Sequence, residues 1–446
     1  MDEKKEKQIK NDIRRLANNA VNIGGGHIIP YEKYTKTIAK DGTRLLFTDC
    51  YVDLYAKIIG DILQQDNWGR TISKKYAEDA VDGLIVKILT AGTAGDGIVV
   101  DSFNELIKDF EIKSSKECVV YIPIYEISMR INSIKLGNIK LIRLTDEKIS
   151  EIKDQIRIQY LKTSYDDTKR PHIEYIYKFI DAYLKGAPSC VEFRMFAESN
   201  RTVERAIEEA QRVMDLFRFV IPTFFSWNKL QREYIHQHRY VLAISEDSLT
   251  STLMNVGPLA ELVVSHESLK HMGKCGMFKL NKIMRKDDPS DFERTLLLGL
   301  KWFSRSQIHK EPINQFMDLI TCLEVFLNRG KGEPILISLS EGAAILLCED
   351  IKDRRNLKKD IYDFYDIRST LTHGGDVSLE DRDINHLMGI IGSLIAVLLE
   401  RKDEFENKDT LINWLEYKRL GGKTEEWPSY QEFLKSYKKS KPKKSK

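Results

Sequence analysis

Arg368-Ser369-Thr370-Leu371-Thr372-His373, followed at once by Gly374-Gly375, decides how the C-terminal third of this chain is read. It places a permanent cation and a base that titrates near neutrality five positions apart, ahead of two helix-stopping residues. A guanidinium can hold a phosphate at two points, and an imidazole exchanges protons at physiological pH. On an unbroken helix, residues five apart point about 140° away from each other and share no face. The glycines change that expectation. A helix running through Ile351 to Leu371 should end near Thr372, with a glycine in the left-handed conformation. His373 then lies on the last turn or just beyond it, free to swing toward Arg368. Taken alone, the same residues also suit a surface ion pair and a helix cap.

The residues around the motif extend the pattern. Tyr365 stands three positions before Arg368, and apolar helical runs occur at Trp302-Phe303, Phe316–Leu327, Leu339–Leu347 and Asp383–Arg401. Over about residues 290 to 405 the chain resembles the HEPN domains, in particular their Apea-like branch. Members of that branch carry Tyr, then Arg-Ser, then an apolar residue and His-Gly near the end of the third helix. The resemblance implies an all-α HEPN helical bundle and a metal-independent endoribonuclease that needs no cofactor. It further implies a homodimer in which two Arg/His elements face each other across a cleft, with RNA as the substrate. Carried over, His373 moves the proton at the ribose 2′-hydroxyl and Arg368 binds the scissile phosphate. Ser369 occupies the place where many HEPN nucleases have Asn, Asp or His, and is expected to be an RNA-binding position. By the same analogy the protein is a regulated toxin or anti-phage effector, its N-terminal region sensing a trigger. The alternative is a noncatalytic HEPN module for dimerisation or RNA binding.

The whole chain bounds these readings. At 446 residues it is long enough for two or three domains, and its 42% hydrophobic and 31% charged residues suit a globular protein. Lys435 to Lys446 holds seven lysines and no acid, so the formal charge of +3 conceals a net acidic remainder. Such a tail is usually a solvated end. Six scattered cysteines without paired spacing suggest no disulfide framework and fit a reducing cytoplasm. The charged N-terminus lacks a signal-peptide core, and the apolar run Leu387–Leu399 falls short of the ~20 residues a membrane span needs. A soluble, cytoplasmic protein without a membrane partner is expected.

The expected fold class is α+β and multidomain. A mixed α/β regulatory or sensor region covers 1–289, with a possible sub-boundary near 117. A helical domain spans 290–420, and a basic tail spans 421–446. Helical periodicity is expected at 1–20, Leu45–Leu63, Ile72–Leu89, Asp146–Leu161, His172–Leu184 and Thr202–Phe219. Strands are expected at Ile98–Val100, Phe110–Ile112, Cys118–Tyr125, Cys190–Ala197, Tyr240–Ile244 and Leu262–Val264, with a strand pair around Gly137-Asn138.

Two other constellations compete with the Arg/His element. Glu111 and Lys113 on a strand, with Asp96, Asp101 or Glu78 nearby, resemble the metal site of restriction-type nucleases and would imply metal-dependent DNA cleavage. His236 and His238, with His266, His271 and Cys275 later, have ligand chemistry but no spacing that makes four of them converge. No metal is assigned from the sequence.

Overall fold

In the computed structural model, residues 3–427 are described except for 23–35, 92–95, 163–173, 221–236, 246–248, 257–261, 331–333 and scattered positions between. His236 and the lysine tail therefore lie outside the described residues, and the helix expected at 172–184 lies only partly within them. The chain is α+β. Its elements run α1 (Glu3–Asn18), β1 (Val21–Asn22), β2 (Lys36–Lys40), β3 (Thr43–Phe47), α2 (Asp49–Gln64), α3 (Trp68–Thr71), α4 (Lys74–Thr90), α5 (Asp96–Ser114), β4 (Glu117–Ile124), β5 (Ile127–Met129), β6 (Ser133–Leu136), β7 (Ile139–Arg143), α6 (Asp146–Lys162) and β8 (Ser189–Phe196). They continue with α7 (Ser199–Val220), β9 (Gln237–Ser245), β10 (Leu249–Val256), β11 (Leu262–Val264), α8 (His266–Lys274), α9 (Met277–Met284), α10 (Asp291–Ser306), α11 (Pro312–Leu327), α12 (Ile335–Leu347), α13 (Ile351–Thr372), α14 (Asp381–Glu400) and α15 (Lys408–Arg419).

Two compact units interleave along the chain. One comprises Met1–Tyr125, Ile139–Glu208 and His238–Met254, and the other Glu126–Asn138, Glu209–Gln237 and Asn255–Lys446. A division of the chain at residue 289 does not follow these units. Segments as early as 126–138 belong with the C-terminal helices.

The first unit has a helical part, which includes α1 to α5, and a sheet part that begins with β4. Ile9, Ile13 and Leu16 of α1 pack into one core with Ile58 and Ile62 of α2, Val81 and Ile85 of α4, and Val99, Phe103 and Phe110 of α5. Within this unit the strands of the sheet run in the order β10-β9-β4-β8-β7. Its centre, β4, pairs antiparallel with β8 and β9, and all its residues after Glu117 are buried, so it shows no in-out alternation. Val119, Tyr121, Cys190 and Leu242 pack there against Ile149 and Ile152 of α6.

Two expectations in this unit need correction. Ile98–Val100 and Phe110–Ile112 are not strands; both lie in α5. Val99, Phe103, Leu106 and Phe110 recur at three- and four-residue steps and are all buried, and that period outweighs the local β-branched content. Conversely, Leu45 and Leu46 belong to β3, which pairs antiparallel with β2, and the helix begins only at Asp49.

The second unit is dominated by a helical bundle. Ser290 opens α10 with a capping box, its hydroxyl accepting from the Glu293 backbone N–H while the Glu293 carboxylate accepts from that of Ser290. Phe303, Phe316, Leu323, Phe326, Leu339, Leu387, Leu394 and Leu398 are fully or almost fully buried in it. The helix α14 has the length and mean hydropathy, 1.4, of a membrane span, but half of that window is buried inside the protein, as in a core helix. It packs against α10, α11 and α12, and its His386 ring meets that of Phe364 on α13 at 5.6 Å.

Gly299 permits the close approach of α10 and α11. A Cβ there would lie 2.0 Å from Cζ of Phe326, which is itself 0% exposed and has nowhere to move. Gly299→Ala should cost about 1–3 kcal/mol through overpacking, measurable as a lowered urea midpoint. An unchanged midpoint would mean that the two helices separate freely.

Candidate functional site

The turn after α13 forms as its sequence requires. The backbone N–H of His373 donates to the Ser369 carbonyl, that of Gly374 to Leu371 (3.3 Å), and that of Gly375 to Thr370 (2.9 Å). This is a Schellman ending, with Gly374 in the left-handed region at φ +79°. A side chain at Gly374 would meet open space but carry the left-handed penalty of roughly 1–2 kcal/mol. At Gly375 the obstacle is steric, because a Cβ would sit 2.5 Å from Cγ2 of Thr370. The two glycines thus do different jobs, one supplying conformation and the other close approach.

His373 caps the helix at φ −91° and ψ 13°, and is exposed. Arg368 lies elsewhere on the helix surface. Ile361 and Phe364 are the buried residues of α13, and Arg368 continues their inward stripe at the next helical step. Its Nη2 is 3.5 Å from Oε1 of Glu324 on α11, and its guanidinium carbon is 5.4 Å from the Tyr365 ring centre. Five residues of helix leave His373 about 140° around the axis from that stripe. Among the described residues no hydrogen bond or ion pair joins Arg368 to His373. The swing that the glycines were expected to allow is not seen within one chain. Ser369 is half-buried one position after Arg368.

The surroundings of Arg368 are only partly satisfied. Its Nε and Oε1 of Glu324 are both screened from solvent without a hydrogen-bond partner. Lys408, at the start of α15, donates to the Glu324 main-chain carbonyl at 3.1 Å. Burial pulls its ammonium pKa below the usual lysine range, while the charges of Asp409 and Glu324 oppose that shift. Sequence reading missed Glu324 and Lys408 as site residues. The available signal was an acid at 324, between the apolar residues that close α11.

Neighbouring charges brace the bundle. Glu341 of α12 accepts from Lys358 of α13 at 2.8 Å and lies 3.6 Å from Arg419 of α15. Glu416 meets Arg419 at 2.7 Å and Arg329 at 3.1 Å. Burial pushes the Glu341 carboxyl up, but the Lys358 hydrogen bond and the charges of Lys358, Arg419 and Arg329 outweigh it and hold it below the ordinary range. A depressed folded pKa gives stability above the unfolded value that disappears as pH falls through the folded one. Urea unfolding should therefore show stability falling on acidification, and Glu341→Gln should flatten that limb. An identical acid limb in wild type and variant would contradict this role. In a separate cluster, the buried Asp318 carboxylate meets His309 Nε2 at 2.9 Å and Arg305 Nε at 3.0 Å, satisfying a charge between α10 and α11.

The strand-borne metal site is not formed. Glu111 and Lys113 lie on α5, where residues two apart point about 200° away from each other. Asp101 is ten residues before Glu111 on the same helix, roughly 15 Å along its axis. His266 and His271 lie on α8, and Cys275 caps it. Among the described residues no three His, Cys, Asp or Glu side chains are grouped to hold a metal. No protein-family model, curated protein or solved structure matches the chain.

Proposed function

We propose that the bundle-containing unit is a HEPN-type, metal-independent endoribonuclease acting through Arg368 and His373. The observation that carries this reading is the end of α13. An exposed imidazole caps the helix, and a half-buried guanidinium lies five residues back beside an aromatic ring. The reaction needs one base and one cation. His373 takes the 2′-hydroxyl proton, the 2′-oxygen attacks phosphorus, the bond to the 5′-oxygen breaks, and that oxygen takes a proton from water. The product is a 2′,3′-cyclic phosphate. Arg368 stabilises charge on the nonbridging oxygens. Because the two side chains point apart within one chain, the reading requires two copies, with Arg368 of one opposite His373 of the other. The first unit is assigned the sensing of a trigger by analogy alone.

A second reading, a noncatalytic RNA-binding or dimerisation module, is favoured by one observation: Arg368 already has a carboxylate beside it. Labelled RNA and DNA, incubated with the full chain with and without chelator, separate the two. Chelator-resistant cleavage of RNA alone supports the nuclease. Retention of uncleaved RNA supports the module, and chelator-sensitive cleavage of DNA contradicts both.

A further inference from the structure

The pairing of Arg368 with Glu324 is loose where a structural ion pair would be tight. The separation is 3.5 Å, one nitrogen meets one oxygen, and a planar guanidinium facing a carboxylate ordinarily makes two shorter bonds. Both groups also retain a solvent-screened atom without a hydrogen bond, Nε on Arg368 and Oε1 on Glu324. Leaving such atoms unpaired is costly, so the arrangement is incomplete as it stands. An oxyanion in the place of the Glu324 carboxylate would give Nε its acceptor. A second cation is at hand, since Lys408 is tethered to the Glu324 main chain and feels its charge.

We propose that Glu324 is an internal counter-ion that occupies the phosphate position of Arg368 and is displaced when RNA binds, with Lys408 as a second phosphate contact. This rests on Arg368 being the phosphate-binding group. Glu324 is then an autoinhibitory residue: its charge keeps the guanidinium from stray anions and lowers affinity until a substrate bridges the site. A purely structural Glu324 would have the opposite consequence, since removing it would disorder Arg368 and weaken binding.

The test uses the full chain and a short fluorescent 2′-O-methyl RNA, which cannot be cleaved, with affinity read by anisotropy at low salt. Glu324→Gln keeps the shape and removes the charge. It should tighten binding by about two- to fivefold, the range that partly exposed ion pairs allow. Adding Arg368→Ala or Lys408→Ala should erase that gain. Unchanged or weaker binding by Glu324→Gln, at wild-type thermal stability, overturns the proposal. Should the variant be destabilised, Lys408→Ala in the wild-type background decides, because unchanged affinity there removes the second contact and overturns it equally. If Arg368→Ala alters neither this affinity nor RNA cleavage, the underlying assignment of Arg368 fails instead.

Discussion

Alanine at His373 should slow RNA cleavage by about 10²–10⁴-fold, the usual contribution of a positioned proton-transfer group. Alanine at Arg368 should cost about 10²–10³-fold, the effect of losing one donor to the developing charge. The two variants differ in what else they disturb. The His373 side chain is exposed, and the turn around it is held by main-chain bonds and Gly374, so His373→Ala should stay within about 0.5 kcal/mol of wild-type stability. Arg368→Ala leaves Glu324 without its partner and should be less stable, so Arg368→Lys provides the control: it keeps the charge and loses the fork. Mixing the two alanine variants discriminates further. If one site draws Arg368 from one copy and His373 from the other, mixed dimers contain one intact site and regain activity in part. Near-normal turnover by both variants would remove the nuclease from this site.

A methyl group on the 2′-oxygen of the cleaved nucleotide should abolish cleavage at that position while the oligonucleotide still binds. The reason is chemical, because in the proposed reaction the substrate's own 2′-oxygen is the nucleophile and no other attacking group is assigned. The effect should be complete at the modified nucleotide and absent at its neighbours, read on a denaturing gel. Continued cutting at the methylated position would show that water attacks instead. The chemistry would then have to be sought in other residues.

Features fixed by local physics were legible in the sequence. The end of α13 followed from two glycines behind a helical run, and the left-handed residue is indeed Gly374. The β6–β7 turn was legible for the same reason, with Gly137 at φ +55° between the two strands. The helix α5 was misread because its apolar residues were divided into two short β-branched fragments, while the period joining Val99 to Phe110 is visible only over the whole span. That error created the Glu111/Lys113 metal site, since two-residue alternation has meaning only on a strand. Residues 45–47 of β3 were likewise hidden in a run whose later part is helical. The partners of Arg368 were not legible at all. Glu324 reaches it from α11, and Lys408 of α15 in turn bonds the Glu324 main chain, and only tertiary packing brings those elements together. The interleaving of the two units has the same origin, because no composition shift marks 126–138 or 209–237 as belonging with the C-terminal helices. One practical consequence follows. A fragment beginning near Pro289 would cut through a compact unit, so the proposed control by the first unit is better tested in the full chain.

The most direct test of the central claim is mass spectrometry of the RNA ends left by the full-length protein in excess chelator. Ends carrying a 2′,3′-cyclic phosphate, produced by wild type and lost with His373→Ala, are the result expected of an imidazole and a guanidinium acting on the substrate's own hydroxyl. RNA left intact, or cut to the same ends by His373→Ala, would contradict it.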